Sequence, residues 1–376
     1  MSSGSAGNSV AELLAPGGAV ARRLEDFELR PQQLRMAEAV AATMAARGRL
    51  LVEAGTGVGK SFAYLLPAID RIVNHGERVV VCTHTIALQE QLVDKDIPLL
   101  QAAIGDFSAV LVKGRNNYVS LRRLQQASAR QDRLFSDDDV RHALHAVEDW
   151  AMTTRDGSRS SLPVLPPSDV WDAVQSDRDN CMGKKCPSHE KCFYQSARRR
   201  MEHAHLLVCN HALFFSDLAL RDNDVGFLPK YHHVILDEAH TVEDVASDHF
   251  GLRMGEGSIE HLMRVLWHER TGRGFLATLR VAAGTEGLVD RAIDATARCR
   301  AAAAAFFDDL WRAHAARAGR NGRVDAAGVV ENALQPALAE LANLLRLVRD
   351  AAEGEADKLE CAGYTARAAA AAGATG

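Results

Sequence analysis

The chain has 376 residues, of which 47% are hydrophobic, and it carries a formal net charge of -5. This length allows a sizeable core and two or three subdomains, whereas the charge, with a pI near 6.3, excludes a uniformly basic nucleic-acid-binding surface. Seven scattered cysteines and no secretory leader argue against a disulfide framework, and no run approaches the roughly 20 apolar residues of a membrane helix. We therefore expect a cytoplasmic protein.

The first predicted elements are a tail and a helix. Residues 1–19 are rich in Ser, Gly and Ala, so we expect a disordered segment. Pro31 is followed by apolar residues at helical spacing, which predicts a helix that begins there. The amide of Gln33 on this helix could bind an adenine edge, because it both donates and accepts hydrogen bonds. A solvated glutamine is the simpler interpretation.

A glycine-rich loop comes next, and the rest of the chain is organised around it. The apolar run Leu50-Leu51-Val52 before the loop is interpreted as a short buried strand, and a helix is predicted after it. Glycines let the main chain approach phosphate oxygens closely, and the helix N-terminus adds partial positive charge. In such a P-loop, Lys60 would reach the β- and γ-phosphates and Ser61 would bind Mg²⁺. The expected nucleotide contacts are Ala54, Gly55, Thr56, Gly57, Val58, Gly59, Lys60 and Ser61.

Two further strands are predicted at residues 78–83 and 109–112 from their apolar runs. The first ends at Thr83-His84-Thr85, just before a predicted helix. Hydroxyl groups at such a position can bind the phosphates of a nucleic-acid backbone, although they cap helices equally well. Both interpretations stay open.

An insertion is predicted where the strand–helix alternation stops, from about residue 114 to 200. Two helices, at residues 120–133 and 137–152, precede a loop rich in Ser, Pro and Gly at residues 153–169. Insertions of this kind usually carry function rather than core.

Three cysteines lie close together inside this insertion. Cys181, Cys186 and Cys192, with Gly and Pro between them, indicate a metal or Fe–S site. Their C-x4-C-x5-C spacing matches no zinc ribbon, and three incidental cysteines are the alternative. The basic residues nearby could contact phosphates or form a solvated helix face; they are Lys184, Lys185, Lys191, Arg198, Arg199 and Arg200.

The sheet is predicted to resume at residues 205–211 and 232–236, and the last strand ends at Asp237-Glu238. A buried parallel strand places such acids at its carboxyl end, where ligands bind. Asp237 would hold Mg²⁺, and Glu238 would orient and deprotonate the attacking water. Together, the P-loop and this acidic pair indicate NTP hydrolysis. The pair also makes it less plausible that the glycine-rich loop is a turn that matches the P-loop pattern by chance. Beyond about Gly255 the chain is predicted to be helical, with an unstructured tail at residues 362–376.

The assembled motifs resemble those of the XPD/DinG family of superfamily 2 DNA helicases, over about residues 27–249. The matching segments are Arg30-x-x-Gln33 (adenine recognition), Ala54 to Ser61 (motif I), Thr83 to Leu92 (motif Ia), Asp237-Glu238-Ala239-His240 (the DEAH motif), and the flanks of the Fe–S domain, Lys113 to Tyr118 and Val208 to Leu213.

The resemblance implies an α/β fold: a P-loop NTPase with a RecA-like parallel sheet, a mostly helical Fe–S-domain-like insertion and a helical arch-like C-terminal region. The RecA-like ATP-binding domain would comprise residues 20–113 and 201–254, the insertion residues 114–200, and the arch-like region residues 255–376. The implied cofactors are ATP, Mg²⁺ and a [4Fe–4S] cluster.

The implied activity is ATP-driven translocation by a monomer along single-stranded DNA, with 5′→3′ unwinding of forked DNA in repair or replication. The resemblance gives catalytic roles to Lys60, Asp237, Glu238 and His240. It gives DNA contacts to Thr83, Thr85, Gln91 and Arg115.

Two departures from the family pattern change these expectations. Ser120 stands where the family has its first cluster cysteine, and a hydroxyl ionises far less readily on a metal than a thiol. The three cysteines could therefore hold a cluster with an open iron site, zinc with His189, or no metal. A second RecA-like domain, whose arginine would reach the γ-phosphate, is also not evident. We expect the N-terminal part of a longer motor, with weak nucleotide binding and poor hydrolysis on its own.

Two other functions are alternatives to this one. A nucleotide-responsive DNA-binding module that does not turn over, or that acts with a partner carrying the second domain, would use the same residues. A small-molecule kinase is disfavoured, since the long interval between Lys60 and Asp237 and the segment from Thr83 to Leu92 would have no role in it.

Overall fold

The computed structural model describes residues 10–24, 27–135, 137–221, 225–250, 254–315 and 328–375. The chain forms two compact units. The first comprises Met1–Gly114 and Ser196–Gly251, and the second comprises Arg115–Gln195 and Leu252–Gly376. Each unit is therefore built from two separate stretches of sequence. No helix in the described ranges is both long and apolar enough to cross a membrane.

The first unit contains a four-stranded parallel sheet with strand order β2-β3-β1-β4. The strands are β1 Val79–Thr83, β2 Ala109–Leu111, β3 Leu206–Asn210 and β4 His233–Leu236. All four lie where apolar runs predict them, so the predicted α/β fold with a parallel sheet is confirmed. Every residue of β1 is buried, as expected for a central strand covered on both faces.

Helices accompany the sheet in the first unit and are the main elements of the second unit. The α-helices are α1 Val10–Leu14, α2 Pro31–Ala45, α3 Lys60–His75, α4 Ile86–Gln91, α5 Ile97–Ile104, α6 Leu121–Ala129, α7 Gln131–Leu134, α8 Asp138–Thr153, α9 Ser168–Val174, α10 Phe193–His203, α11 His211–Arg221, α12 Val242–Phe250, α13 Glu256–Leu266, α14 Phe275–Thr278, α15 Glu286–Ala315, α16 Leu334–Ala351 and α17 Glu355–Thr375. A π-helical turn, Leu92–Asp96, joins α4 to α5.

Two expected disordered segments contain helices instead. Leu13 and Leu14 of α1 are buried in the core of the first unit, so the expected disorder of residues 1–19 is wrong from residue 10; residues 1–9 lie outside the described residues. The expected unstructured tail is also wrong, because α17 reaches Thr375 and buries Tyr364. Alanine has the highest helix propensity, and its small side chain lets α17 pack closely on α16.

The run before the P-loop also departs from expectation. Leu50, Leu51 and Val52 form no strand, and Leu51 is 90% exposed. Three apolar residues satisfy the composition of a buried strand, but strand formation also needs a neighbour that pairs with the backbone. In the described residues β4 pairs with β1 alone.

Ion pairs connect the insertion to the C-terminal helices within the second unit. Arg130 donates two hydrogen bonds to the carboxylate of Asp357, at 2.7 and 3.0 Å. The guanidinium of Arg123 lies 3.1 Å from Glu360. Asp357 and Arg123 are both buried, so loss of either partner would leave a costly unpaired charge. Sequence patterns do not indicate that these two segments fold together.

Candidate nucleotide-binding site

The P-loop lies at the N-terminus of α3, and two of its glycines have left-handed backbones. Gly57 has φ +81° and Gly59 has φ +83°, a conformation that side chains with a Cβ rarely adopt. A Cβ at Gly55 or Gly57 would point into open space. This loop therefore leaves room for phosphate oxygens next to its main-chain N–H groups.

Two side chains that flank the start of α2 bind the P-loop backbone. Gln33 Nε2 donates to the carbonyl oxygen of Gly59 at 2.9 Å, and Arg30 Nη1 donates to that of Gly57. Gln33 is only 8% exposed, so its interpretation as a solvated glutamine is wrong. A Cβ at Gly59 would lie 2.2 Å from Gln33 Nε2, which gives a second reason for glycine there.

Lys60 and Glu238 face each other across the site. Lys60 Nζ lies 3.2 Å from Glu238 Oε1, and the two side chains are 32% and 31% exposed. An ion pair with this exposure contributes only about 0–1 kcal/mol. A nucleotide phosphate can therefore compete with Glu238 for the lysine. The imidazole Nδ1 of His240 is 3.5 Å from Glu238 Oε2, but His240 itself extends into solvent.

Asp237 sits at the carboxyl end of the sheet, next to the P-loop helix. Its backbone N–H donates to Cys82 of β1 at 2.8 Å, and its Oδ2 accepts from the hydroxyl of Tyr64 at 3.3 Å. Burial raises the pKa of Asp237, and the neighbouring charge of Glu238 raises it further. A bound divalent cation would relieve both effects, so Asp237, with Ser61, fits a Mg²⁺ site.

Tyr64 and Asp96 belong to this site although sequence reasoning missed them. Tyr64 is buried, and burial together with the charge of Asp237 raises the pKa of its phenol. The Asp96 carboxylate lies beside the side chains of Ser61 and Gln91, and its Oδ2 is buried without a hydrogen-bond partner in the described ranges. Tyr64 stands three residues after Ser61, which places both on one helix face and could have revealed it.

The residues predicted to contact DNA differ in their exposure and in the unit to which they belong. Thr83 is fully buried, whereas Thr85 and Gln91 are exposed. Thr85 also caps α4, since its hydroxyl oxygen accepts from the backbone N–H of Leu88 at 3.3 Å. Arg115 belongs to the second unit, where its guanidinium lies 4.0 Å from the centre of the Tyr194 ring.

The three clustered cysteines carry free thiols. Cys181 is exposed, and Cys186 and Cys192 are partly exposed. Across the described ranges, no group of three or more His, Cys, Asp or Glu side chains is arranged to hold a metal ion. The candidate fourth ligand His189 instead lies with Nδ1 3.0 Å from the carbonyl oxygen of Gly183. As placed, these side chains do not form a donor set for a cluster or for zinc.

Ser120 and Cys181 have other contacts. The Ser120 hydroxyl caps α6 by accepting from the backbone N–H of Arg123. Partial burial alone would raise the pKa of the Cys181 thiol, but the N–H of Gly183 and the guanidinium of Arg115 outweigh it, so the pKa is lowered.

In comparisons with known proteins, two regions of the chain match family models. A family model described as DEAD/DEAH box helicase matches residues 31–132, and one described as DEAD_2 matches residues 173–259. The first match includes the P-loop, and the second includes Asp237 and Glu238.

Curated relatives carry corresponding names. The chain is 34% identical to the ATP-dependent DNA helicase YoaA of Haemophilus influenzae over 65% of the chain and 38% of the relative. It is 37% identical to the protein of that name in Escherichia coli K12 over 63% of the chain and 37% of the relative. It is 33% identical to the ATP-dependent DNA helicase DinG of Photobacterium profundum, over 60% and 34%. The matched region therefore spans little more than a third of each relative.

Proposed function

We propose, from the confirmed resemblance of this chain to DinG-like superfamily 2 helicases, that it is the ATP-binding part of an ATP-dependent DNA helicase. The observation that carries this proposal is the meeting of Lys60 with Glu238 at 3.2 Å, with Asp237 adjacent at the carboxyl edge of the sheet. Residues 20–113 and 201–254 would form the ATP-binding domain.

The residues would divide the work of hydrolysis as follows. The P-loop N–H groups and Lys60 bind the β- and γ-phosphates, and Ser61 and Asp237 hold Mg²⁺, which neutralises phosphate charge. When Lys60 binds the γ-phosphate it leaves Glu238. Glu238 is then free to orient water and accept its proton. Phosphate binding and activation of the base are thereby linked through one side chain.

On the DNA side, the exposed residues Thr85 and Gln91 would contact the backbone of single-stranded or forked DNA. Translocation with 5′→3′ unwinding would further need a second RecA-like domain, whose arginine stabilises the transferred phosphoryl group. Such a motor would act as a monomer in the cytoplasm, in repair or replication.

A second candidate is a nucleotide-responsive DNA-binding module that does not turn over. The Lys60–Glu238 ion pair favours it, because a base engaged by a lysine cannot accept a proton from water. Whether the Lys60–Glu238 ion pair breaks when ATP binds therefore distinguishes the two candidate functions.

Phosphate release with and without single-stranded DNA tests the proposal. We expect Lys60→Ala and Glu238→Gln each to lower DNA-stimulated release by roughly 100-fold or more, since each removes a group used in the transition state. Glu243→Gln, at an exposed acid on α12, is the matched control and should behave like the wild type. Turnover that both variants retain would contradict the proposal, and nucleotide binding without any DNA-stimulated release in the wild type would support the module.

A further inference from the structure

Glu238 has an unusual backbone conformation. Its φ of 53° and ψ of 46° are left-handed, and Arg47 is the only other non-glycine residue with positive φ in the described ranges. A side chain with a Cβ is strained in this region, and such residues persist only where their surroundings hold them. The contacts that hold Glu238 therefore bear on how its carboxylate is aimed.

Thr241 supplies those contacts. Its backbone N–H donates to the carbonyl oxygen of Glu238 at 3.1 Å, and its hydroxyl donates to the same oxygen at 3.0 Å. The Thr241 oxygen also lies 3.1 Å from Nδ1 of His211. With the hydroxyl proton directed at Glu238, the Thr241 oxygen can accept from Nδ1 of His211, which favours the tautomer that carries its proton on Nδ1.

His211 is buried next to the site without a role in the mechanism above. It is the first residue of α11, directly after β3, and it is only 1% exposed. Its Nε2 is buried and makes no hydrogen bond of good geometry within the described parts of the chain, although the backbones of Cys82 and Asp237 lie close enough to interact with the ring. Buried polar atoms are rarely left unsatisfied without a reason. Burial lowers the pKa of His211, although backbone hydrogen bonds to Cys82 and Asp237 oppose this shift.

A second histidine connects this residue to the segment predicted to contact DNA. The ring of His84 lies with its centroid 6.3 Å from that of His211, at a 45° tilt. His84 is exposed and stands between Thr83 and Thr85. His211 thus lies next to His84, in the segment predicted to contact DNA, and is linked through Thr241 to the backbone of Glu238.

We propose that His211 is a positioning residue that links DNA contact to the orientation of the general base, Glu238. Through Thr241 it holds the left-handed turn that directs Glu238 toward Lys60 and the attacking water. When a DNA backbone binds beside His84, the movement of that ring is passed to His211 and then to Glu238. This inference rests on the proposed function.

Kinetics of hydroxyl variants provide the first test. Thr241→Val removes the hydroxyl with little change of shape, whereas Thr241→Ser keeps it. We expect Thr241→Val to lower DNA-stimulated kcat by roughly tenfold to 100-fold, as misplacement of a catalytic group does, with little change in the KM for ATP or in Tm. Thr241→Ser should restore most of the rate. Equal rates in wild type and Thr241→Val, or equal losses in both variants, would overturn the proposal.

The protonation of His211 provides a second test that does not depend on turnover. Nitrogen-15 NMR of the histidine rings in the wild type, with the His211 signal assigned from His211→Asn, should show a neutral ring with the proton on Nδ1. Addition of a short single-stranded DNA should shift that signal. A proton on Nε2, or a signal that DNA leaves unchanged while DNA binds, would refute the role of His211. Failure of wild-type hydrolysis alone would instead count against the proposed function.

Discussion

The three acidic side chains of the nucleotide site differ in their surroundings. Glu238 is paired with Lys60, Asp237 accepts a hydrogen bond from Tyr64, and one oxygen of Asp96 is buried without a partner in the described ranges. Burial raises the pKa of Asp237 and of Asp96, since a low-dielectric environment disfavours the charged form. A bound cation would therefore stabilise the charged forms of Asp237 and Asp96.

Removal of the Tyr64 hydroxyl should shift the pH dependence of nucleotide binding. The hydroxyl stabilises the charged form of Asp237 and so opposes the rise in its pKa. In Tyr64→Phe that pKa should rise further, so Asp237 is protonated at a higher pH. We expect the acid limb of magnesium-dependent ATP binding to move to higher pH, because the lost hydrogen bond no longer favours the charged form of Asp237.

Equilibrium titration of a fluorescent ATP analogue between pH 4 and 8 would measure this shift. Tyr231→Phe, a change in the same unit at a tyrosine that has no hydrogen bond to Asp237 in the described contacts, is the control. Identical acid limbs in Tyr64→Phe and wild type would show that the hydroxyl does not tune Asp237.

Part of this site follows from sequence alone. The P-loop spacing and the Asp237-Glu238 pair indicate it directly, because both motifs place their groups by local backbone geometry. Tyr64 could have been inferred from its place three residues after Ser61 on one helix face. The roles of Asp96 and His211 depend on which elements pack together. His211 is the last residue of the strand predicted at residues 205–211, so the rule that ligands bind at carboxyl strand ends could have singled it out.

At the scale of elements, Glu77 connects α3 to β4 in the first unit. It follows α3 and accepts from Arg71 of that helix at 2.7 Å. It also lies 2.7 Å from Nε2 of His233 at the start of β4. The hydrogen bond from Arg71, together with that from His233, lowers the pKa of Glu77 to about 2.

Glu77→Gln should destabilise the first unit at neutral pH. A carboxyl group with a depressed folded-state pKa contributes stability above its unfolded pKa, and that contribution is lost as pH falls through the folded value. We expect a loss of about 2 kcal/mol in the free energy of unfolding at pH 7. The difference from wild type should shrink between about pH 4.5 and about pH 2.

Denaturant unfolding of both proteins at pH 7, 5 and 3 would check this. Glu38→Gln, at an exposed glutamate of α2, serves as the control. A destabilisation that stayed constant across this range would show that the effect is not due to the charge.

Sequence patterns predict some of these elements and miss others for physical reasons. Continuous apolar runs identify β1 to β4, because strands covered on both faces need such runs. The helix α17 is missed because its Ala-rich sequence resembles a low-complexity tail, although small side chains suit close helix packing. For Leu50 to Val52 the error is the opposite one: a strand is predicted where none forms. Composition does not show whether a neighbouring strand is available to pair with the backbone.

For the whole chain, the division into two units joins segments that are far apart in sequence. Asp357 of α17 binds Arg130 of the insertion, and Glu360 binds Arg123. Hydrophobic patterning identifies helices in both segments, but it does not specify which helices share a unit. These ion pairs are set by tertiary structure.

Asp357→Asn should therefore destabilise the second unit. The variant leaves Arg130 without its charged partner, and breaking a buried pair typically costs about 3–5 kcal/mol. Since Arg130 keeps partial access to solvent, we expect about 2 kcal/mol. Glu355→Gln, at an exposed acid on the same helix, should cost much less. Thermal unfolding can be followed by tryptophan fluorescence, to which Trp150 and Trp171 of the second unit contribute. Equal destabilisation in the two variants would show that the Arg130–Asp357 ion pair is unimportant.

The outer edge of β4 has a consequence for the behaviour of this chain in solution. In the described ranges β4 pairs on one side only, and the exposed run Leu50 to Val52 adds an apolar surface within the same unit. An open strand edge and exposed aliphatic side chains both promote intermolecular strand pairing. We expect concentrated solutions to form oligomers and then aggregates, with light scattering that rises steeply with concentration. Leu51→Lys should suppress this, and scattering as strong as that of the wild type would assign the aggregation to another surface.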